Sequence, residues 1–251
     1  MQNLKEFDIK SFIDETDENK KNFIIKESEK ISPPSNIPEV LKTSYSYKEV
    51  INKFIVDYIK TKKQNISEDY DTAIKNKIKD FKDNYINNIL PNKLKEEATN
   101  LYQLSEAFTF AKTNTVTRSL STKMGHLWEE LATCSKKAIS TEKEFNLKIT
   151  GVDLIITEND KPFYCQIKTL EGTLTGSQAP RSITELNIHE NAYFISAFKT
   201  GTPWTFNSGT IPRLVGKEFW SLIDINYEKL LEEVKKMIKE IEDNFLKKKE
   251  N

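Results

Sequence analysis

The sequence predicts an α/β (α+β) chain, a mixed central sheet flanked by helices, with a helical N-terminal region and a long C-terminal helix. Three observations carry that expectation. Val152, Leu154 and Ile156, then Phe163, Cys165 and Ile167, alternate with other residues around the polar turn Glu158-Asn159-Asp160-Lys161, as strands of a hairpin do. Ala192 to Phe198 is a second short apolar run rich in β-formers. On both sides of these strands apolar residues recur at spacings of three and four, the repeat of helices with one buried stripe.

Taken in order, residues 1–40 read as a polar arm, with Pro33-Pro34 and Pro38 interrupting regular structure at its end. A helical region, 41–115, follows. Val50, Ile51, Phe54, Ile55 and Tyr58 form one stripe, and Ile74, Ile78, Phe81, Tyr85 and Ile86 a second. The remainder, 116–251, opens with a helix from Met124 to Cys134, where Met124, Leu127, Trp128, Leu131 and Cys134 keep helical spacing and the preceding Ser/Thr cluster can cap the start. Glu144 to Ile149 is expected as the first strand. In the hairpin, counting back from the turn sets Thr157 opposite Pro162, Ile155 opposite Tyr164 and Asp153 opposite Gln166. Side chains alternate along a strand, so Asp153, Gln166 and Lys168 share one face, while Val152, Leu154, Ile156, Phe163, Cys165 and Ile167 share a core-facing one. Thr169 to Ser182 is polar and loop-like, a helix begins near Ile183, and the strand 192–198 follows. From Tyr227 to Lys249, Leu231, Val234, Ile238, Ile241 and Phe245 make an amphipathic helix expected to pack on its own domain, since the stripe is too short to argue a coiled coil.

Lys plus Arg and Asp plus Glu both total 38 in the 251 residues. A neutral total exerts no general pull on nucleic acid, so a DNA-binding reading requires cations gathered around a cleft. All three arginines, Arg118, Arg181 and Arg213, fall in 116–251, a placement that favours specific polar recognition. All seven glycines lie between Gly125 and Gly216, which makes the middle of the chain its turn-rich part. Cys134 and Cys165 lack zinc-type spacing and are expected as small core residues in a reducing cytoplasm. No stretch approaches bilayer length and none resembles an export signal, so a cytoplasmic protein without membrane contact is expected. His126 and His189 are too few and too separated for a metal cluster. Gly201-Thr202-Pro203-Trp204 lacks phosphate-loop spacing, and no Ser, His and Asp set is evident.

The chemistry concentrates at Asp153 and Gln166-Ile167-Lys168. An acid and an amide oxygen on one strand face are ligands for a hard cation, and a lysine beside them can stabilise a developing negative charge. This pattern resembles the hairpin of the PD-(D/E)XK nuclease superfamily, with Gln166 where those enzymes usually carry an acid. The predicted order helix, strand, strand, strand, helix, strand is similar to that superfamily's core. The resemblance implies Mg2+ held by Asp153, the Gln166 side-chain oxygen, the Ile167 main-chain carbonyl and a further acid from the first helix, with Lys168 orienting the attacking water. A Gly, aromatic, Glu pattern matches Gly125, Trp128 and Glu129, whereas the helical wheel sets Glu130 nearer the apolar stripe; Glu129 is taken as the fourth catalytic residue.

More narrowly, Thr117 to about Tyr227 resembles the type II restriction endonucleases that cut palindromes with a GGNCC core, through Arg118-Ser119-Leu120-Ser121-Thr122, the Gly125 helix, the hairpin and Val215 to Trp220. That resemblance implies a homodimer hydrolysing double-stranded DNA at a specific sequence, leaving 5′-phosphates, and a companion DNA methyltransferase. Arg181 is the expected guanine reader, Arg118 and Lys123 the expected phosphate contacts, and Ser119, Gln178, Lys199 and Arg213 further DNA-binding candidates. Two other readings stay open. One is a repair or structure-selective nuclease of the same fold, and the other a non-cleaving DNA-binding protein whose nuclease core has decayed at Gln166.

Overall fold

The computed structural model describes residues 47–62, 69–95, 101–145 and 148–249, together with 19 and 22. The polar arm expected over 1–40 therefore lies outside the described residues apart from those two. The described chain is a mixed α+β fold around a five-stranded sheet whose strand order follows the sequence, β1 (Ala138–Ile139), β2 (Leu154–Glu158), β3 (Lys161–Lys168), β4 (Ala192–Ser196) and β5 (Arg213–Val215). The first three strands run antiparallel and the last three parallel.

The hairpin register is the expected one, with Thr157 opposite Pro162 and Ile155 opposite Tyr164. Its turn works because Asn159 and Asp160 both adopt positive φ, 49° and 59°, a conformation that short polar side chains tolerate and that matches the twist of the paired strands. Beyond Leu154 the expected register is not kept: Asp153 precedes β2 and, instead of pairing with Gln166, its N–H donates at 2.8 Å to the carbonyl of Cys165, the residue already opposite Leu154.

Both faces of the sheet are covered, not one. Leu154, Ile156, Cys165, Ile167 and Ile195 pack against α2 (Tyr70–Asn84), α5 (Phe108–Ala132), α8 (Lys217–Leu222) and α9 (Tyr227–Lys249), with α1 (Tyr47–Lys62), α3 (Leu90–Lys95), α4 (Leu101–Leu104), α6 (Thr141–Phe145) and α7 (Gln178–Leu186) completing the helices. On the opposite face Ile155, Tyr164 and Phe194 meet Ile55, Tyr58 and Ile59 of α1, Leu186 of α7, and Phe206. Val152 joins this second cluster, not the first as strict alternation predicts, because the chain turns at Gly151 before β2 begins. Double coverage is what a sheet with a parallel half requires.

Three expected elements differ. The Ser/Thr cluster before Met124 does not cap a helix, because α5 starts at Phe108 and runs through it. Thr115, Thr117 and Thr122 instead bond back to the carbonyls of Ala111, Thr113 and Arg118 one turn earlier, which lets hydroxyls sit inside a helix. The boundary drawn at 115/116 falls within this helix, and Ile74, Ile78 and Tyr85 share a core cluster with the sheet. None of the described residues of Glu144 to Ile149 is in a strand. Glu144 belongs to α6, its N–H donating to the Ser140 carbonyl, and Lys148 and Ile149 are irregular; the edge strand is Ala138–Ile139. Acid-rich Thr141 to Glu144 favours a helical first turn. The helix placed near Ile183 begins at Gln178.

The C-terminal helix packs on its own chain, against α2, through Leu230, Val234, Met237 and Ile241. Ile238, counted into the stripe from its spacing, is 39 % exposed. Among the described residues no helix is long and apolar enough to cross a membrane.

Candidate active site

The hairpin delivers three of the expected residues to one place. Asp153 precedes β2, and its Oδ2 accepts the Ile167 N–H at 2.9 Å and lies 3.9 Å from Lys168 Nζ. In a strand the N–H and C=O of one residue lie on the same side, so the Ile167 carbonyl points towards Asp153 as well. Gln166 is 8 % exposed, and its Oε1 is enclosed without a hydrogen-bond partner. An unpaired buried acceptor costs about 1–3 kcal/mol, a cost that a cation or a donor at this position would relieve.

The acid from α5 is set by its neighbour. Trp128 is fully buried, its Nε1 donates to Thr169 Oγ1 at 2.9 Å, and its ring meets Phe198 edge-on at 4.8 Å. Thr169 directly follows Lys168, so this contact pins α5 against the end of β3 and turns Glu129 into the cleft. Glu130 faces away and pairs with Lys143 at 2.6 Å. The wheel favoured Glu130 because it looked for the acid beside the apolar stripe, but the cleft opens at the ends of the strands, along the helix's polar flank.

Burial, then the charge of Asp153, pushes the Glu129 carboxyl up to about 7 against the opposing pull of Lys143 and Lys168. Burial also raises Asp153, opposed by Lys168 and by the Ile167 N–H. Two partly desolvated carboxylates that repel each other beside an unpaired amide oxygen form an oxygen-rich set suited to a hard divalent cation. Among the described residues no three His, Cys, Asp or Glu side chains form a metal-holding group. The donor set at this cleft fits such an ion through an amide and a main-chain oxygen in addition to Asp153 and Glu129.

The cleft measures about 700 Å3 and is walled by α5 on one side and α7 on the other. Gln178 and Arg181 of α7 line it. Gln178 Oε1 accepts the Thr175 N–H at 2.9 Å, bracing the loop that leads into α7. The other expected DNA contacts are elsewhere. Arg118 and Lys123 are exposed on α5 outside the cleft lining, and Ser119, half-buried on the same helix, is also outside it. Arg213 is engaged by the Phe206 carbonyl and Asn207 Oδ1, both at 3.0 Å, with its guanidinium 5.1 Å from the Trp204 ring centre. Lys199 lies exposed beyond β4, its N–H 3.4 Å from the Tyr227 hydroxyl.

Four titratable cleft residues, His126, Glu142, Lys148 and Glu185, escaped the sequence reading. His126 stands one turn before Glu129, its Nδ1 3.6 Å from Glu129 Oε1, a pairing that the i, i+3 spacing offers. Lys148 and Glu185 also line the cleft. Glu185 stands four residues after Arg181, again a readable spacing, whereas Lys148 carries no signal beyond its proximity to Asp153. Comparison with known proteins finds no matching family model, no matching curated protein and no matching solved structure.

Proposed function

We propose that this chain is a Mg2+-dependent endonuclease with a PD-(D/E)XK-type core, acting on double-stranded DNA as a type II restriction endonuclease. The observation that carries the reading is the convergence of Asp153, Gln166, Lys168 and Glu129 on one cleft from two separate elements. Asp153, Gln166 Oε1, the Ile167 carbonyl and Glu129 would hold the ion. When bound, a divalent cation supplies Lewis acidity at the phosphate and a more acidic water.

The chain's own residues do the rest. The Ile167 N–H fixes the Asp153 carboxylate, and Lys168 Nζ beside it offers a positive charge to the non-bridging oxygens as negative charge builds in the transition state. Water attacks phosphorus in line, the P–O3′ bond breaks, and the 3′-oxygen takes a proton, giving a 5′-phosphate and a 3′-hydroxyl. Gln178 and Arg181, on a helix that walls the same cleft, support sequence selectivity over a general repair nuclease. The resemblance to enzymes cutting GGNCC-core palindromes extends the proposal to a homodimer on a G·C-rich site, with a methyltransferase protecting the host.

Plasmid DNA digested with and without Mg2+ tests this. Discrete fragments are expected only with the cation, and Asp153→Ala and Lys168→Ala should each abolish them while leaving DNA binding in a mobility-shift assay. A smear or structure-dependent nicking would replace the restriction reading with the repair one, and full activity in either variant would remove the site assignment.

A further inference from the structure

The Arg181 guanidinium is not left to find its own direction. Its Nε donates to Glu185 Oε1 at 2.7 Å, one helical turn away on α7. The two side chains differ sharply in exposure, Arg181 being 75 % exposed and Glu185 15 %. A carboxylate that far out of water is held by more than the helix. Gly151, two residues before Asp153, has φ +75°, and a Cβ built there would come within 2.5 Å of Glu185 Cβ and 2.6 Å of Oε2. The chain at Gly151 therefore lies directly on the Glu185 side chain, in a space that only glycine leaves open. Gly151, Glu185, Arg181 and Asp153 all border the cleft.

We infer that Glu185 is a positioning residue that aims Arg181 at a guanine, and that Gly151 couples that aim to the catalytic strand. This rests on the nuclease reading above. With Nε occupied, Arg181 keeps four N–H donors on its two terminal nitrogens, a planar pair that matches guanine O6 and N7. Clamping the fork before DNA arrives removes side-chain freedom that would otherwise be lost on binding, so the bidentate contact keeps more of its strength. The clamp also ties reading to cutting, because the surface that holds Glu185 is the backbone that leads into Asp153. Glu185 itself is covered by Gly151 and Arg181, which keeps its charge from facing phosphates.

The test is cleavage of a duplex oligonucleotide library of random sequence with Mg2+, sequencing the products to obtain base preference at each position for the wild type, Arg181→Ala, Glu185→Gln, Glu185→Ala and the double Arg181→Ala/Glu185→Ala variant. Gly151→Ala is added, and thermal unfolding of every variant controls for folding. Arg181→Ala is expected to lose roughly 5- to 150-fold of guanine preference at one position per half-site, the fold-change of a lost bidentate pair. Glu185→Ala should lose preference at that same position, Glu185→Gln should keep part of it through its remaining amide oxygen, and the double variant should be no worse than Arg181→Ala alone. A Glu185→Ala variant that slows all sequences equally, shifts a different position, or adds its loss to that of Arg181→Ala overturns the inference while leaving the nuclease reading in place. A wild type that cuts no sequence overturns both.

Discussion

Gln166 is the residue at which this site departs most from an all-carboxylate cation site, and its enclosed, unpartnered Oε1 makes it the most informative to change. Gln166→Glu is expected to lower the Mg2+ concentration needed for half-maximal cleavage, since it adds a formal charge where an oxygen ligand already points. An inactive, folded Gln166→Glu enzyme would show that the amide's donor side is needed. Glu129 makes a second prediction in the metal-free protein. Its folded carboxyl, at about 7, retains a proton that the unfolded chain, near 4.5, releases. Stability is therefore full below about pH 4.5 and falls as pH rises to about 7, by on the order of 3 kcal/mol for this group. Glu129→Gln should flatten that part of the pH–Tm curve in EDTA and raise the Mg2+ requirement, whereas Glu130→Gln, removing only an exposed pair with Lys143, should do neither. The strand residues of the site were legible because period two and a two-residue turn fix which side chains share a face. His126 and Glu185 were not singled out, because spacing alone offers many i, i+3 and i, i+4 pairs and only the fold tells which pair faces a cleft. For the same reason spacing did not show that Arg213 lies outside the cleft lining, bonded to the Phe206 carbonyl.

At the level of elements, α5 sets the geometry of the acid through one indole. Trp128→Phe keeps an aromatic ring beside Phe198 but removes the donor to Thr169 Oγ1, and it should cost about 1–2 kcal/mol in denaturant unfolding. Because Glu129 is the next residue, the same variant should raise the Mg2+ requirement; stability loss without that change would mean that α5 is aimed by other contacts. The hairpin strands were readable nearly residue by residue, and the described residues between Tyr47 and Lys112 are mainly helical, as read. What failed was the segment 144–149, whose apolar spacing suits a strand but whose preceding Ser140-Thr141-Glu142 starts a helix, and the start of α5, where hydroxyl-rich residues look like a cap until their side chains are seen bonded to the turn before. Element boundaries were lost where local polar chemistry supports two structures equally.

Across the whole molecule formal charge cancels, and around the cleft acids slightly outnumber cations, Glu185 being paired with Arg181 while Glu129, Glu142 and Asp153 stand against Lys148 and Lys168. Such a cleft offers phosphate little attraction until a cation is added. DNA affinity measured by anisotropy should therefore rise when Ca2+, taken as a non-cleaving probe, replaces EDTA. Asp153→Ala should bind about fivefold more tightly than the wild type in EDTA, the equivalent of ~1 kcal/mol for one charge removed 4 Å from another in water, and should lose much of the Ca2+ response. Affinity that ignores Ca2+ in the wild type would place the main phosphate contacts outside the cleft. The strand order β1-β2-β3-β4-β5 has a consequence of another kind. No strand has to be threaded between two others, so the sheet can grow by accretion, from the tight hairpin outward to each edge. The contacts closest in sequence, those across Asn159-Asp160, carry the smallest loop-closure cost and are the natural nucleus. Asp153 and Lys168 border that nucleus, while α7 and β5, more distant in sequence, are expected to join later. The hairpin bearing Asp153, Gln166 and Lys168 is thus expected to take shape before the wall that would choose the substrate, which higher φ-values at Ile155 and Tyr164 than at Leu186 would check.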